Sequence, residues 1–549
     1  MTADRETAAE EERRVRHFRQ ILLWPVHLMP VTGSFQGARR WEELCRDGDL
    51  WSPVTDEFPA DASQFQIRHY NEFVTFLPAV QRFLYGEARR DRSGDSPIRV
   101  FRRSDVKMVR LTLKDRPEPV ALSIAHVDLY FFYDIDVTLF TVEVYADDLE
   151  LGLVQELLFR FGRAFPTGWD HEERGDHCLV RTEWLDDQGR VLATSDFDQR
   201  GKFLATVCQE RTAAISADWE FLLGPMVPDA SARPGGLRFR QLEYSRMPLM
   251  AYLAFDQPRA LSRGDFARLV FAARSGPTDQ LPVSESFLAD FEAEYCYDRY
   301  WGLDSSQAAN TRFLCSGQAF VVVGEAGQRL FTDPEQGVLA QFRHQYFLLG
   351  LIAHFQKAAL LMFADRLSMA MNGLDIRDAE RVKTFKRHIR TLFATFLRFT
   401  HRYWFREVSI HIPARPIFAL FRRHHGTDAL YDDIRVAVQD MAQYLEADGL
   451  RRQANTVVRL TVVTTFGLIG SIVTGLLGMN LIAVADATLS VKLIYFMAAF
   501  VPTTAVILYT VMISKRLSDM LESLSDERLS VVAKLKMFVR SWFSNRWDR

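Results

Sequence analysis

The sequence predicts a mixed α/β (α+β) domain followed by a long stalk helix and a C-terminal two-helix transmembrane hairpin. Three observations predict it. Between residues 95 and 330, apolar residues recur at every second position in a series of short runs, the pattern of half-buried strands. From Asp428 to Asn480 no proline interrupts the chain, so one helix can run that length. The stretches Leu460–Ala485 and Leu493–Ile513 carry no charged residue, and each reaches the ~20 residues a helix needs to cross a hydrocarbon core of ~30 Å.

Composition narrows the function classes. The 549 residues carry a net charge of only -3, which implies no polyanionic partner. No zinc-finger spacing or long basic run points to nucleic acid. Cys45, Cys178, Cys208, Cys296 and Cys315 are scattered and never form a C-x-x-C pair, as expected of reduced thiols rather than a disulfide framework or zinc site. No P-loop, catalytic triad or glycine-rich nucleotide motif occurs, so the chain is not read as an enzyme and needs no cofactor.

Residues 1–94 are read as an N-terminal extension. Its opening is charged with both signs and lacks a signal peptide's apolar core. The run ILLWPVHLMPV is too short to span a bilayer and is broken by Pro25 and Pro30. Residues 95–330 form the α/β domain. Strands are expected in IRVFRRSD, VKMVRLTLK, VALSIAHVDLYFFYDIDVTLFTVEVYA, CLVRTEWLDDQGRVLAT, FRQLEYSRMPLMAYLAFD and FLCSGQAFVVVGEAGQ, with a hairpin turn at Asp187-Gln188-Gly189. Helices are expected in ELGLVQELLFRFGRAF and SRGDFARLVFAARS.

Residues 331–426 are read as a helical pair turning at Asn372-Gly373. The first member is apolar, but Arg343, His344, Lys357, Asp365 and Arg366 make it a poor membrane span. The stretch VSIHIPARPIFALFRRHHGTD then breaks the helical pattern. A new helix is expected from Thr427 or Asp428, with Leu430, Ile434, Val438, Met441 and Leu445 on one face. It forms the stalk, 427–456, and continues into the first span, 457–482. An external loop, 483–490, leads to the second span, 491–513. Arg451, Arg452 and Arg459 before the hairpin, and Lys515 and Arg516 after it, place both termini in the cytoplasm. The tail, 514–549, alternates basic and aromatic residues like a helix lying on a membrane surface.

The sequence near the outer end of the first span, Gly475-Leu476-Leu477-Gly478-Met479-Asn480-Leu481, carries a family resemblance. Gly-Met-Asn at the outer end of the penultimate span, behind a long stalk and before a short loop, resembles the CorA family of divalent-cation channels. Leu460-Thr461 matches that family's Leu-Thr at the inner end of the span. The resemblance covers about 430–516. It implies a CorA-like funnel pentamer in the inner (plasma) membrane, conducting divalent cations, above all Mg²⁺. Gly478, Met479 and Asn480 would form the selectivity ring, with Asn480 holding the hydrated ion. Thr464, Leu468, Ser471 and Gly475 would line the pore, and Val457 and Leu460 would form its hydrophobic gate. Membrane lipids, divalent cations and further copies of the chain are the implied partners, with the cation also a regulator.

The external loop departs from the family's acidic pattern, offering only Asp486 beside Lys492. A ZntB-like transporter of zinc, cobalt or nickel is therefore a second expectation. A third is a membrane-anchored cytoplasmic sensor or interaction protein whose hairpin is an oligomerising anchor. The cluster Asp170, His171, Glu172, Glu173, Asp176, His177 and Cys178 holds metal-ligand residue types, but they do not share one helical face. It is read as a polar surface loop.

Overall fold

The computed structural model describes residues 13–29, 40–42, 44, 50–54, 67–86, 97–276 except Tyr244, 283–302, 310–372, 379–478 and most of 488–509. The chain divides into two units, Met1–Val438 and Gln439–Arg549.

Among the described residues, the first unit is built on one 14-stranded, largely antiparallel sheet. Its strands in chain order begin with β1 (Val15–Met29), β2 (Trp51–Pro53), β3 (Ile98–Arg103), β4 (Met108–Leu113), β5 (Arg116–Phe132) and β6 (Ile135–Leu149). There follow β7 (Arg181–Leu185), β8 (Val191–Thr194), β9 (Val227–Pro228), β10 (Arg238–Gln241) and β11 (Leu249–Phe255). The last are β12 (Cys296–Tyr297), β13 (Arg312–Cys315) and β14 (Ala319–Glu325). The main path runs β12-β13-β14-β11-β1-β6-β5-β4-β7-β8. Where alternation predicted strands, the strands are present. The Asp187-Gln188-Gly189 turn joins β7 to β8, with Gly189 at φ +75°, a conformation that glycine adopts without strain.

β1 lies inside the range read as an N-terminal extension, yet it is a central strand, paired with β6 on one side and with β11 and β10 on the other. A strand covered on both faces has no polar face, so it does not alternate. Pro25 is accommodated because pairing with β11 ends at Leu22 and pairing with β10 begins at Val26. The missing N–H thus falls where neighbours change.

Pleating sends successive side chains to opposite faces. One face carries Trp24, Phe140 and Phe239, whose rings meet edge-on. Trp24 also meets Trp219 of α4 (Ala217–Leu223) edge-on. α3 (Leu151–Arg160) and α5 (Arg263–Val270) add to this core. α5 starts with a capping box: Asp265 N donates to Ser262 Oγ at 3.1 Å and Ser262 N to Asp265 Oδ2 at 2.9 Å.

The other face receives α6 (Val338–Asn372). Phe355 stacks on Phe132 at 3.8 Å between ring centroids, and a Cβ on Gly350 would lie 2.9 Å from Met250 Sδ. The charges that argued against a membrane span are anchored: Arg343 to Glu143 at 3.0 Å, Lys357 to Glu243 at 2.8 Å, His344 to Glu72 at 3.0 Å, and Arg366 to Asp136. α7 (Ala379–Arg402) packs Phe396 and Phe399 on Phe363 of α6.

A third helix follows where only an interruption was expected. α8 (Ala414–His425) begins right after Pro413, and Pro416 falls in its first turn. First-turn N–H groups have no helical partner, so both prolines are compatible with a helix start. His424 and His425 form its last turn, with His425 buried. Gly426, at φ +62°, ends α8, and α9 (Thr427–Gly478) starts at the next residue.

Candidate functional site

α9 is a single helix of 52 residues, about 78 Å at 1.5 Å per residue. Its start falls where the sequence placed it; the end expected at Asn480 lies outside the described residues. In the first unit Tyr431, Ile434 and Val438 are buried, and Tyr431 stacks on Trp404 at 4.4 Å. Near the start of α9 two carboxylates pair with arginines: Asp428 with Arg422, and Asp432 with Arg435 at 3.4 Å.

Within the second unit the helix has two unlike faces. Val457, Leu460, Thr464, Leu468, Ser471 and Gly475 follow one another by three or four residues and therefore share a stripe. All are exposed, Val457 at 57%, Leu460 at 63% and Leu468 at 63%. Val462 and Gly470, on the opposite side at 100° per residue, are buried. The residues expected to line a pore and form its gate thus lie together on the face that the single chain leaves uncovered. Added Cβ atoms on Gly467 and Gly475 meet nothing within 4 Å.

Three threonine hydroxyls of this segment are satisfied inside the helix. Thr461 Oγ1 donates to the Val457 carbonyl at 2.9 Å, Thr464 Oγ1 to that of Leu460 at 2.9 Å, and Thr474 Oγ1 to that of Gly470 at 3.0 Å. An apolar surrounding demands such internal partners. Gly478 is the last residue of α9; Met479 and Asn480 lie outside the described residues, as does the tail 514–549. α10 (Leu489–Val506) follows, apolar and with none of its span buried.

The Asp170–Cys178 cluster is a self-satisfied loop. Asp170 accepts from Lys114 Nζ at 2.7 Å and from the backbone N–H groups of Glu172 and Arg174, each at 2.9 Å. His177 Nδ1 pairs with Thr167 Oγ1 at 2.9 Å. Burial pushes the Cys178 thiol up to about 12. Among the described residues no group of three or more His, Cys, Asp or Glu side chains is arranged to hold a metal, and no cysteine is paired.

Comparison of the chain with protein-family models, with curated proteins and with solved structures found no match in any of the three.

Proposed function

We propose that the chain is a membrane-anchored homo-oligomer of CorA type whose α9 helices surround a path for divalent cations, Mg²⁺ first among them. The observation that carries this reading is the exposed stripe Val457–Gly475, which combines hydroxyl, small and leucine side chains and precedes Gly478-Met479-Asn480 in the sequence. A helix face with small residues and internally bonded hydroxyls suits close packing against other helices in lipid. Five or so copies arranged with this face inward would leave a narrow polar lumen. Leucine and valine rings at the level of Val457 and Leu460 would close it by excluding water. A ring of Asn480 amides would bind the outer waters of a hydrated ion without replacing them, which suits a cation that dehydrates reluctantly. Membrane potential would drive inward movement by about 4.6 kcal/mol per 100 mV for a divalent ion.

The test is uptake into liposomes holding a Mg²⁺-sensitive dye, comparing the wild type with Asn480→Ala. The expected result is uptake by the wild type and its loss in the variant. Oligomeric, correctly oriented wild type that passes neither Mg²⁺ nor Zn²⁺ would overturn the reading. The anchored-sensor alternative would then take its place.

A further inference from the structure

We infer that Arg163 and Arg246, with His177 beside them, form a binding site for a small oxyanion, a phosphate group by chemical class. The backbone holds the two arginines side by side. Gly162, at φ +85°, turns the chain as it leaves α3, and Arg163 then pairs with Arg246 in an isolated antiparallel bridge. Met247 N donates to the Gly162 carbonyl at 2.8 Å, and Ala164 N to that of Ser245 at 2.7 Å. Residues directly opposed across such a bridge send their side chains to one side. Both guanidiniums lie by the Phe159 ring, at 5.2 Å for Arg163 and 5.9 Å for Arg246, and the His177 ring stands 5.3 Å from it.

Two positive charges are thus gathered in a largely buried place without a negative one. Arg163 is 8% exposed. Its Nε donates to the Phe159 carbonyl at 3.2 Å, and among the described residues its two terminal nitrogens have no partner. Arg246 donates to carbonyls, those of Phe271 at 3.3 Å, Leu158 at 3.2 Å and Ala272, and its Nε has no partner. Among the described residues no carboxylate forms an ion pair with either arginine. Other arginines of this unit differ. Arg160, also by the Phe159 ring, is bonded to Glu156 at 2.5 Å. In the cavity beside α1 (Ile67–Thr75) and α2 (Pro78–Tyr85), Arg102 takes Asp128 at 2.8 Å and Arg343 takes Glu143 at 3.0 Å. Burial pulls Arg163 and Arg246 below the ordinary arginine range, Arg246 to about 9, where repulsion from Arg163 adds to it. A charge taken from water without a partner is costly, and carbonyl dipoles do not cancel it. An anion does.

The chemistry of the donors selects the anion. Guanidinium forks match phosphate oxygens two at a time, and a phosphate monoester carries about -1.5 to -2 charges near neutral pH, close to the charge of two arginines. His177 supplies a third contact. Its Nδ1 is taken by Thr167 at 2.9 Å, which leaves Nε2 for the ligand. Burial and then the Arg163 charge hold a proton off His177; Arg160 and Arg246 act in the same sense and Asp176 opposes them. A bound anion offsets the arginines, so His177 takes up its proton more readily when the site is filled.

The cluster lies wholly in the first unit, so its test does not depend on ion conduction. The full-length protein in detergent micelles is titrated with inorganic phosphate, a panel of small phosphate monoesters, sulfate and chloride at constant ionic strength, read by calorimetry and thermal melting. The expected result is one saturable site for phosphate and a melting temperature that rises with phosphate but not with chloride. A monoester that binds more tightly than inorganic phosphate identifies an organic phosphate as the occupant, and equal binding identifies the free ion; both uphold the site. Sulfate keeps its two charges throughout, so its binding isolates His177. It should tighten as pH falls from about 8 to about 6, and the tightening should vanish in His177→Asn, since asparagine accepts the left-handed backbone there, at φ +62°. Arg163→Gln should weaken phosphate binding tenfold or more, whereas His171→Asn, exposed on the same loop, should not. Phosphate and sulfate that fail to saturate at millimolar concentration, or phosphate binding undiminished in Arg163→Gln, would overturn the inference. If Arg163→Gln does not fold, Arg163→Lys, which keeps the charge and loses the fork, is judged by the same criterion.

Discussion

Asp218 shows how a single buried carboxyl couples stability to pH. It sits in the first turn of α4 at 0% exposure. Burial pushes it up to about 7, and the neighbouring Asp196 carboxylate pushes the same way. An unfolded aspartate titrates near ~3.9. Between those two values the folded chain keeps a proton that the unfolded chain has lost. Stability therefore falls as pH rises from about 4 to about 7 and is flat above it. Asp218→Asn removes the ionisable group while nearly preserving its shape. Relative to the wild type, the variant should gain stability steadily across that window, by a few kcal/mol in all, and hold the gain at pH 8. Thermal melts of both proteins at several pH values check this. A difference that does not change with pH would show that Asp218 does not titrate in the folded state.

At the scale of elements, α6 and α10 show why composition does not place a helix. Both are long and apolar enough to cross a bilayer, but 72% of the most apolar stretch of α6 is buried inside the protein and none of α10 is. The difference was readable in the charges along α6, because an anchored charge needs a protein partner rather than lipid. Lys357 is one such anchor, facing a Glu243 side chain that is only 6% exposed. Lys357→Met should leave that carboxylate buried without its cation, at a cost of about 3 kcal/mol or more. Adding Glu243→Gln should recover part of the loss. Chemical denaturation of the two single variants and the double variant measures the coupling, and strictly additive effects would contradict it. Other elements were legible for equally local reasons. The period-two runs became β3 to β8, and the glycine at 426 followed by a long proline-free run set the start of α9. β1 was not legible, because burial on both faces removes alternation. The π segment of α6, Phe342–Tyr346, was not legible either, because it has no spacing signature of its own. The pairing of Glu72 with His344 joins residues 272 positions apart, whereas the α9 stripe could be read from three- and four-residue spacing alone.

For the whole molecule, an α/β domain followed by two long apolar helices is consistent with a membrane-associated protein, and the open question is what the uncovered stripe of α9 faces. A pore and an anchor make opposite demands on the same residues. In a water-filled pore, cysteines replacing Thr464, Leu468, Ser471 or Gly475 would ionise and react with a charged, membrane-impermeant thiol reagent. In an anchor that turns this face to lipid, the same thiols would stay protonated and unreactive. Cys208 is exposed and would react in either case, so it is first replaced by serine. The pore reading predicts labelling that recurs every three or four residues along α9 and is absent at Val462, on the buried face. It also predicts that Mg²⁺ flux falls as Ser471→Cys is modified, because a bulky charged adduct would occupy the lumen. Uniform protection along 457–475 in reconstituted, oligomeric protein would assign the stripe to lipid and leave the hairpin as an anchor for the domain it follows.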